Sequence, residues 1–423
     1  FRNITLKRPE GTGEAAHVHV DHREKWVRLE GIKTKVDPVS LLNCFSPNIS
    51  PHVARYRLPN TTAMEMGGII YWKDGKRNDF HVKFRHPEGP GHYVLWDKDY
   101  AISAPAGLLN FKGHQMSFDI GGRAFGEALF AKGSVDLTPG VRAFSVNLKA
   151  GLFPYEVFGK QVPFQGLTAS VKSKGEASTF DIQASLMDGS FSLEGSVDEN
   201  GTAKPYRGEL RVEEVSFKRF AQIYSKNADT EGDLTGHFKF AGRAGDWASL
   251  KGTGVGIILN GNLYSVPILG PLTPLLGTLL PGQSKDYNIA KEANCTFAVA
   301  DGKVTTRDFE ALTNTLRILV AGDIDFIRDD LDLIAQVRVR GLPGLVLMPL
   351  TELFEYRGQG TVADTQWKPS ILKGSNGQRA AGQRRVAQEP GKNQGPAAKN
   401  EEKPPVTAPK RLLDSIFNRT KGR

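Results

Sequence analysis

Residues that carry catalysis, metal binding or covalent cross-linking are scarce in this 423-residue chain. Its two cysteines, Cys44 and Cys295, are far apart, so they provide neither a metal-binding framework nor a disulfide scaffold, and the sequence leaves open whether they pair. The chain also lacks a glycine-rich phosphate loop, a G-x-S-x-G turn and a cysteine–histidine pair in a catalytic setting. The sequence therefore predicts a protein that is not an enzyme, with no catalytic residue, no metal site and no cofactor.

One string is nevertheless typical of an enzyme. Residues 17–22, HVHVDH, resemble the H-x-H-x-D-H pattern of metallo-β-lactamases, in which His and Asp side chains bind two metal ions. The residues that follow, up to Leu29, predict a hairpin in which His17, His19 and Asp21 share one exposed strand face, and no convincing downstream ligands are present. A metallohydrolase is therefore the least favoured of three possible functions.

Net charge is nearly absent from the body of the chain, although the whole chain carries +9. Residues 373–423 contain twelve Lys or Arg and four Asp or Glu, a net of +8, which leaves +1 for the rest. We therefore predict no nucleic-acid partner. Residues 373–409 have almost no apolar content and predict a disordered basic linker. Residues 410–423 predict a short amphipathic basic segment, either a frayed terminus or a docking element.

Helical patterns are also rare, whereas strand patterns are frequent. Short runs rich in Val, Ile, Phe and Thr alternate with polar residues, and Asp-Gly or Asn-Gly pairs separate them, which predicts antiparallel hairpins. These pairs are at residues 74–75, 188–189, 200–201, 260–261 and 301–302. Short helices are expected at residues 38–45, 217–224 and 349–356. The predicted fold class is therefore mostly β.

A long one-sided sheet needs a cover for its apolar face, and two or three short helices cannot provide one. A second sheet, as in a β-sandwich, is the ordinary solution. Closure of the sheet into a barrel and a bound apolar ligand are the two others. The residue pattern alone leaves all three open.

Charged side chains are missing altogether from residues 252–284. The stretch is long enough for a membrane-spanning helix, but its four prolines and several glycines would interrupt the backbone hydrogen bonds in lipid. We instead expect a strand that ends near Tyr264 and one or two short helical turns within residues 272–280. Such a segment would form an apolar cap on the mouth or edge of a β structure.

Several elements of the C-terminal half occur in a distinctive order. They are the run GTGVGIILNGNLYSVPILGPLTPLLGTLLPG, residues 301–304, the strand 316–326, and residues 348–357, 360–362 and 367–369. Together they resemble the AsmA-like C-terminal region, whose relatives are the TamB-like and YhdP-like proteins. Members usually close with G-T-L-x-D-P-x-W-x-P, whereas this chain has Asp364-Thr365-Gln366 at the Asp-Pro step. The resemblance is good over residues 210–369 and weaker before them.

The resemblance implies a bridge-like lipid-transfer fold. This fold is an elongated, curved, antiparallel-rich β-sheet (a β-taco) whose apolar side forms a groove, with few short helices and a disordered C-terminal tail. The implied function is non-enzymatic binding of phospholipid and assistance in lipid transport between the inner and outer membranes. The implied location faces the periplasm, with an inner-membrane anchor in an N-terminal helix absent from this sequence and an outer-membrane or periplasmic protein as a further partner. A structural or assembly factor of the outer membrane without lipid flux is the alternative.

The groove hypothesis assigns residues and segments, for which ordinary core packing is the competing interpretation. The lipid-groove candidates are Phe191, Leu193, Val197, Ile318, Val320, Ile324, Leu333 and Val337. The apolar-cap candidates are Leu269, Leu272, Leu275, Leu276, Leu279 and Leu280. The expected segments are an N-terminal β-rich segment continuous with the groove (1–110), middle groove repeats (111–210) and the AsmA-like region (211–372), followed by the linker 373–409 and the segment 410–423.

Overall fold

The structure is a computed structural model, and it describes most of the chain before residue 371. The described residues are 1–9, 11–40, 56–57, 62–86, 90–95, 98–157, 160–200, 202–224, 231–262, 269–272, 275, 289–314, 316–339, 354–362 and 364–370. The predicted linker 373–409, the predicted amphipathic segment 410–423 and Cys44 lie outside them.

The described residues form one open antiparallel sheet of 23 strands. The strands are β1 (Arg2–Arg8), β2 (Gly11–Asp21), β3 (Trp26–Val36), β4 (Tyr56–Arg57), β5 (Ala63–Tyr71), β6 (Asp79–Arg85), β7 (Pro90–Leu95), β8 (Lys98–Lys112), β9 (Gln115–Ala124), β10 (Glu127–Asp136), β11 (Ala143–Val157), β12 (Lys160–Lys174), β13 (Ala177–Leu186), β14 (Gly189–Asp198), β15 (Pro205–Ser216), β16 (Asp233–Arg243), β17 (Asp246–Asn262), β18 (Ile289–Ala300), β19 (Lys303–Thr313), β20 (Leu316–Asp325), β21 (Asp330–Val339), β22 (Phe354–Gly360) and β23 (Thr365–Pro369). The predicted mostly β fold class is confirmed.

The sheet is a meander in which strands pair with their neighbours in sequence. At two places in the sheet, two short strands lie end to end where one long strand would fit. At the first place, β6 pairs with residues 106–112 of β8, and β7 pairs with residues 98–103 of the same strand. At the second place, β5 pairs with β6, and β4 pairs with β7. The sheet continues without a break through residues 110 and 210, which lie inside β8 and β15.

Alternation of side chains gives the sheet one apolar and one polar face. Directly opposed residues point to the same face, so the register carries a row of like residues from strand to strand. From β12 to β17 one such row is Val171, Phe180, Gly195, Gly208, Phe240 and Gly252. The neighbouring row, on the opposite face, is Ser170, Asp181, Glu194, Glu209, Lys239 and Thr253.

The helix predicted at residues 217–224 is confirmed as α1 (Phe217–Tyr224). It lies between β15 and β16, and Phe217, Phe220 and Ile223 pack against the apolar face of the sheet. Because these residues recur every three positions, they share one side of the helix.

The other two predicted helices have different outcomes. Residues 38–40 are helical, and the carboxylate of Asp37 accepts hydrogen bonds from the Val39 and Ser40 N–H groups as an N-cap, whereas residues 41–45 lie outside the described part. The prediction for 349–356 is wrong at its end, since β22 begins at Phe354. There the apolar residues follow the strand period of two and pack into the sheet's core.

The Asp-Gly turn predicted at residues 188–189 is wrong by one residue. The central residues are Met187 and Asp188, with φ of 49° and 72°, and Gly189 begins β14. A Cβ on Gly189 would lie 2.4 Å from the carbonyl oxygen of Glu213, so this glycine serves close strand packing. The turn predicted at 301–302 is confirmed, because both of its residues have positive φ between β18 and β19.

The turn predicted at Asn260-Gly261 is wrong. Both residues lie within β17, where Gly261 is opposite Ala290 of β18. Phe217 of α1 packs on this site, since a Cβ on Gly261 would be 3.0 Å from its ring. The glycine thus makes room for an aromatic ring, which sequence spacing did not reveal.

Buried side chains concentrate at the C-terminal end of the apolar face. The main core consists of Phe217, Leu272, Ala293, Ala311, Leu316, Ile318, Val320, Leu331, Leu333, Ala335, Val337, Tyr356 and Trp367. A second, smaller core contains Val162, Leu186, Met187 and Val215. Phe220 of α1 packs against both, so the helix joins the two cores.

Candidate functional site

The candidate site is the apolar face of the sheet between β13 and β18. Its members all lie on the same face by register, and each is half-buried: Phe180, Ile182, Phe191, Leu193, Val197, Tyr206, Leu210, Val212, Phe238, Phe240 and Phe297. We call this set the central apolar surface. Side chains of this size in an ordinary sandwich would be buried by an opposing sheet. Here they keep part of their surface accessible.

Aromatic rings lie over glycines in the floor of this surface. A Cβ added to Gly195, Gly208 or Gly254 would come within 2.5, 2.7 and 2.2 Å of the rings of Phe180, Phe240 and Phe297, respectively. Each ring belongs to the residue directly opposite the glycine. The missing side chain lets the ring cover the backbone of the neighbouring strand, which shields a strand that glycine would otherwise weaken.

The rings also contact each other across several strands. The ring of Phe238 lies 5.5 Å from those of both Phe240 and Phe297, and Tyr206 lies 6.1 Å from Phe240, all measured between centroids. These distances are in the range of favourable aromatic pairs. The result is a continuous aromatic strip from β15 to β18.

The predicted groove residues fall into two groups. Phe191, Leu193 and Val197 belong to the half-buried central apolar surface. Ile318, Val320, Leu333 and Val337 are 0–5% exposed members of the main core, and Ile324 is partly buried against it. All eight share one face of the sheet, but only the first group presents surface that a ligand can contact without rearrangement.

The predicted cap packs on the buried end. Leu272 ends a 3-10 turn (Gly270–Leu272), has no exposed surface and belongs to the main core, while Leu269 and Leu275 pack against that core. Leu276, Leu279 and Leu280 lie outside the described residues. The described cap residues pack on the apolar face of the last strands, in the same core as Phe217 of α1.

Sequence reasoning missed the aromatic strip. Tyr206, Phe238, Phe240 and Phe297 are not among the predicted groove residues, although each has a polar residue on at least one side in its strand. The signal that would find them is an aromatic residue placed opposite a glycine, and it needs the strand register.

The polar face of the sheet, opposite the candidate site, carries a cluster of charged side chains around Glu209. Glu209 contacts the Arg211 guanidinium, His237 Nε2 at 2.8 Å and Lys239 Nζ at 3.5 Å. Burial of Glu209 acts to raise its pKa, but the hydrogen bonds from Arg211 and His237 outweigh it, so the pKa is lowered. This carboxylate therefore stays ionised, and the outer face stays polar.

The enzyme-like string lies in the predicted hairpin of β2 and β3. His17 is 3.6 Å from Glu30, and the His19 ring stacks on Trp26 at 5.1 Å. Across the described part of the chain, no group of three or more His, Cys, Asp or Glu side chains is placed to hold a metal ion.

No family model, curated protein or solved structure matches this chain. No helix within the described ranges has the length and apolar character needed to cross a membrane.

Cys295 supplies a chemical test of burial at this site. It lies opposite Gly256 on the apolar face, and desolvation, with Asp308 adding to it, raises the pKa of its thiol to about 11 from an ordinary 9.0. In a Cys44→Ser chain near neutral pH, we expect maleimide to react about 100-fold more slowly than with a free thiol, because the thiolate is the nucleophile. The rate should rise about tenfold per pH unit.

The same chain unfolded in denaturant is the control and should react at the ordinary rate. Fast labelling of the folded chain near neutral pH would contradict the buried position of Cys295.

Proposed function

We propose that the apolar face is a groove that binds phospholipid acyl chains, and that this non-enzymatic protein assists lipid transport between the inner and outer membranes of a cell envelope. The observation that carries the proposal is the central apolar surface, whose large side chains remain half-exposed on five of the six strands β13–β18, with Gly254 of β17 between them. A bound acyl chain would cover the apolar side chains that the described residues leave half-exposed. The AsmA-like resemblance supports the same function.

The dimensions of the site suit an acyl chain. With strands about 4.8 Å apart, the six strands β13–β18 extend over roughly 24 Å. One leaflet contributes about half of a bilayer's hydrocarbon thickness of about 30 Å, so a chain that fills one leaflet is shorter than the site. At about 0.8 kcal/mol per buried CH₂, one chain gains on the order of 10 kcal/mol.

The two faces of the sheet differ in polarity, which supports one orientation of the proposed lipid. The acyl chains face the aromatic strip, and the charged headgroup stays in water at the rim, because burying it unpaired would be costly. The main core, which includes Leu272, buries the apolar face of the last strands, so the accessible part of that face lies on the strands before them. In the proposed envelope setting, a membrane anchor preceding this sequence and an outer-membrane or periplasmic partner complete the route.

The test is whether phospholipid occupies the central apolar surface. We expect the purified chain to carry phospholipid, detected by mass spectrometry of an organic extract. A photo-crosslinking amino acid at Leu193 should form a lipid adduct, whereas the same group at Ser192 should not, since Ser192 lies opposite Arg211 on the outer face. Absence of lipid in the extract, together with no adduct at residue 193, would favour the structural or assembly role.

A further inference from the structure

Two neighbouring turns at one rim of the sheet combine basic and aromatic side chains. The turn between β2 and β3 contributes Arg23 and Lys25, and the turn between β5 and β6 contributes Trp72, Lys73, Lys76 and Arg77. We call these six residues the basic rim patch. The Trp72 backbone N–H donates to the Lys25 carbonyl oxygen at 3.1 Å, so the two turns form one surface.

The aromatic residues of this surface are presented to solvent. Trp72 is 47% exposed, although large apolar side chains are usually buried, and its ring meets the His22 ring edge-on at 6.3 Å. The Arg77 guanidinium lies 4.1 Å from the centre of the Tyr71 ring. This cation–π contact holds the arginine at the tip of the turn.

The acidic residues of the two turns are largely engaged within the turns. Asp21 accepts hydrogen bonds from the Arg23 and Glu24 N–H groups, and Asp74 accepts one from Lys76. Glu24 lies 3.8 Å from Arg77. Residues 21–26 and 71–78 contain five Lys or Arg and three Asp or Glu, a net of +2.

The last turns at the same rim have the opposite charge. Residues 325–330 and 360–365 contain four Asp and one Arg, a net of −3. The rim therefore changes from basic at the N-terminal end of the sheet to acidic at the covered C-terminal end. Such an asymmetry would orient the protein on a negatively charged surface.

We propose that the basic rim patch docks on the surface of an anionic phospholipid bilayer. Lys and Arg side chains are attracted to anionic headgroups, and Trp and Tyr rings are favoured at the depth of those headgroups. An exposed indole between lysines suits this interface better than a nucleic acid, because the body of the chain has almost no net charge. The docking goes beyond the proposed lipid binding, since it uses a different surface and needs no lipid in the groove.

The experiment measures vesicle binding by the full chain. Because the tail is basic, the background variant has the twelve Lys and Arg of residues 373–423 replaced by Gln. We expect binding to phosphatidylcholine vesicles that contain about 30% phosphatidylglycerol, and little binding to phosphatidylcholine alone. The double variant Lys73→Glu, Lys76→Glu should bind at least about tenfold more weakly, and added salt should weaken binding of the unsubstituted patch.

Matched variants on the same rim separate docking from general effects of charge and aromaticity. Trp72→Ala should weaken binding severalfold, whereas Trp247→Ala should not, although Trp247, the second residue of β17, is 67% exposed. The double variant Lys303→Glu, Arg328→Glu controls for the charge change at the acidic end. Circular dichroism confirms that each variant is folded.

Three results would overturn the docking proposal. They are equal binding to neutral vesicles, equal loss in the control variants, and salt-dependent binding of an oligonucleotide by the patch without vesicle binding. Lipid in organic extracts is measured on the same variants. Loss of vesicle binding with unchanged extracted lipid would leave the proposed function standing, so the two proposals fail separately.

Discussion

Leu193→Glu is expected to remove most of the bound phospholipid while the sheet stays folded. Leu193 lies in the middle of the central apolar surface, opposite Ile182 on one side and Leu210 on the other. In the empty groove water reaches the half-buried position, so the new carboxylate remains hydrated. A bound acyl chain would have to strip that water from an unpaired charge, which costs several kcal/mol. We expect extracted lipid to fall at least about tenfold, since each 1.4 kcal/mol changes binding tenfold.

The matched control is Ser192→Glu on the same strand. It adds the same charge to the outer face, next to Arg211 of β15, and should leave the lipid content unchanged. Thermal unfolding of both variants checks that any loss of lipid does not come from loss of the fold. If Leu193→Glu and the unsubstituted protein carry the same amount of lipid, the groove does not pass through this position.

Leu333→Ala is expected to be strongly destabilising, because Leu333 is a core residue. It is 3% exposed and belongs to the main core. Removing a buried leucine side chain loses its transfer free energy and leaves a cavity, which typically costs about 2–5 kcal/mol. We expect a clear fall in the denaturant midpoint and little direct effect on lipid contacts at Leu193.

The neighbouring residue gives the control for this second prediction. Ile334 follows Leu333 in β21 but points to the other face, opposite Ala321 and Arg357, and is only partly buried. Ile334→Ala should therefore cost clearly less than Leu333→Ala. If the two substitutions lower the free energy of unfolding equally, the C-terminal strands are not packed mainly through their apolar face. If Leu333→Ala loses bound lipid while its stability is unchanged, Leu333 is a groove residue, as the sequence predicts.

Much of the fold could be predicted because strand patterns are local. The alternation in Phe180, Ile182 and Leu193 indicates one-sided strands, and paired residues with positive φ at 301–302 mark a hairpin. Failures came where a distant element decides the local structure. Asn260-Gly261 lies within β17, where Gly261 is opposite Ala290 of β18 and leaves room for Phe217, and Gly189 begins β14 where the backbone of β15 approaches closely.

The sequence predicts which face of the sheet carries the candidate site, but not which strands leave that face accessible. Alternation assigned Leu193 and Val337 to the same side of the sheet, and the register agrees. Their burial differs because Val337 belongs to the main core, which also contains Leu272, whereas Leu193 lies outside that core. Covering elements come from segments distant in sequence, so a strand's own residues carry no sign of them.

The order of amino acids thus specified the strands, their two faces and the apolar character of the uncharged stretch, since these follow from periodicity and composition. Tertiary packing determined which part of the apolar face is buried. It also placed aromatic rings over glycines and brought Trp72 beside Lys25. The physical reason is that register and burial are set by contacts between residues far apart in the chain, whereas alternation is set by neighbours two positions away.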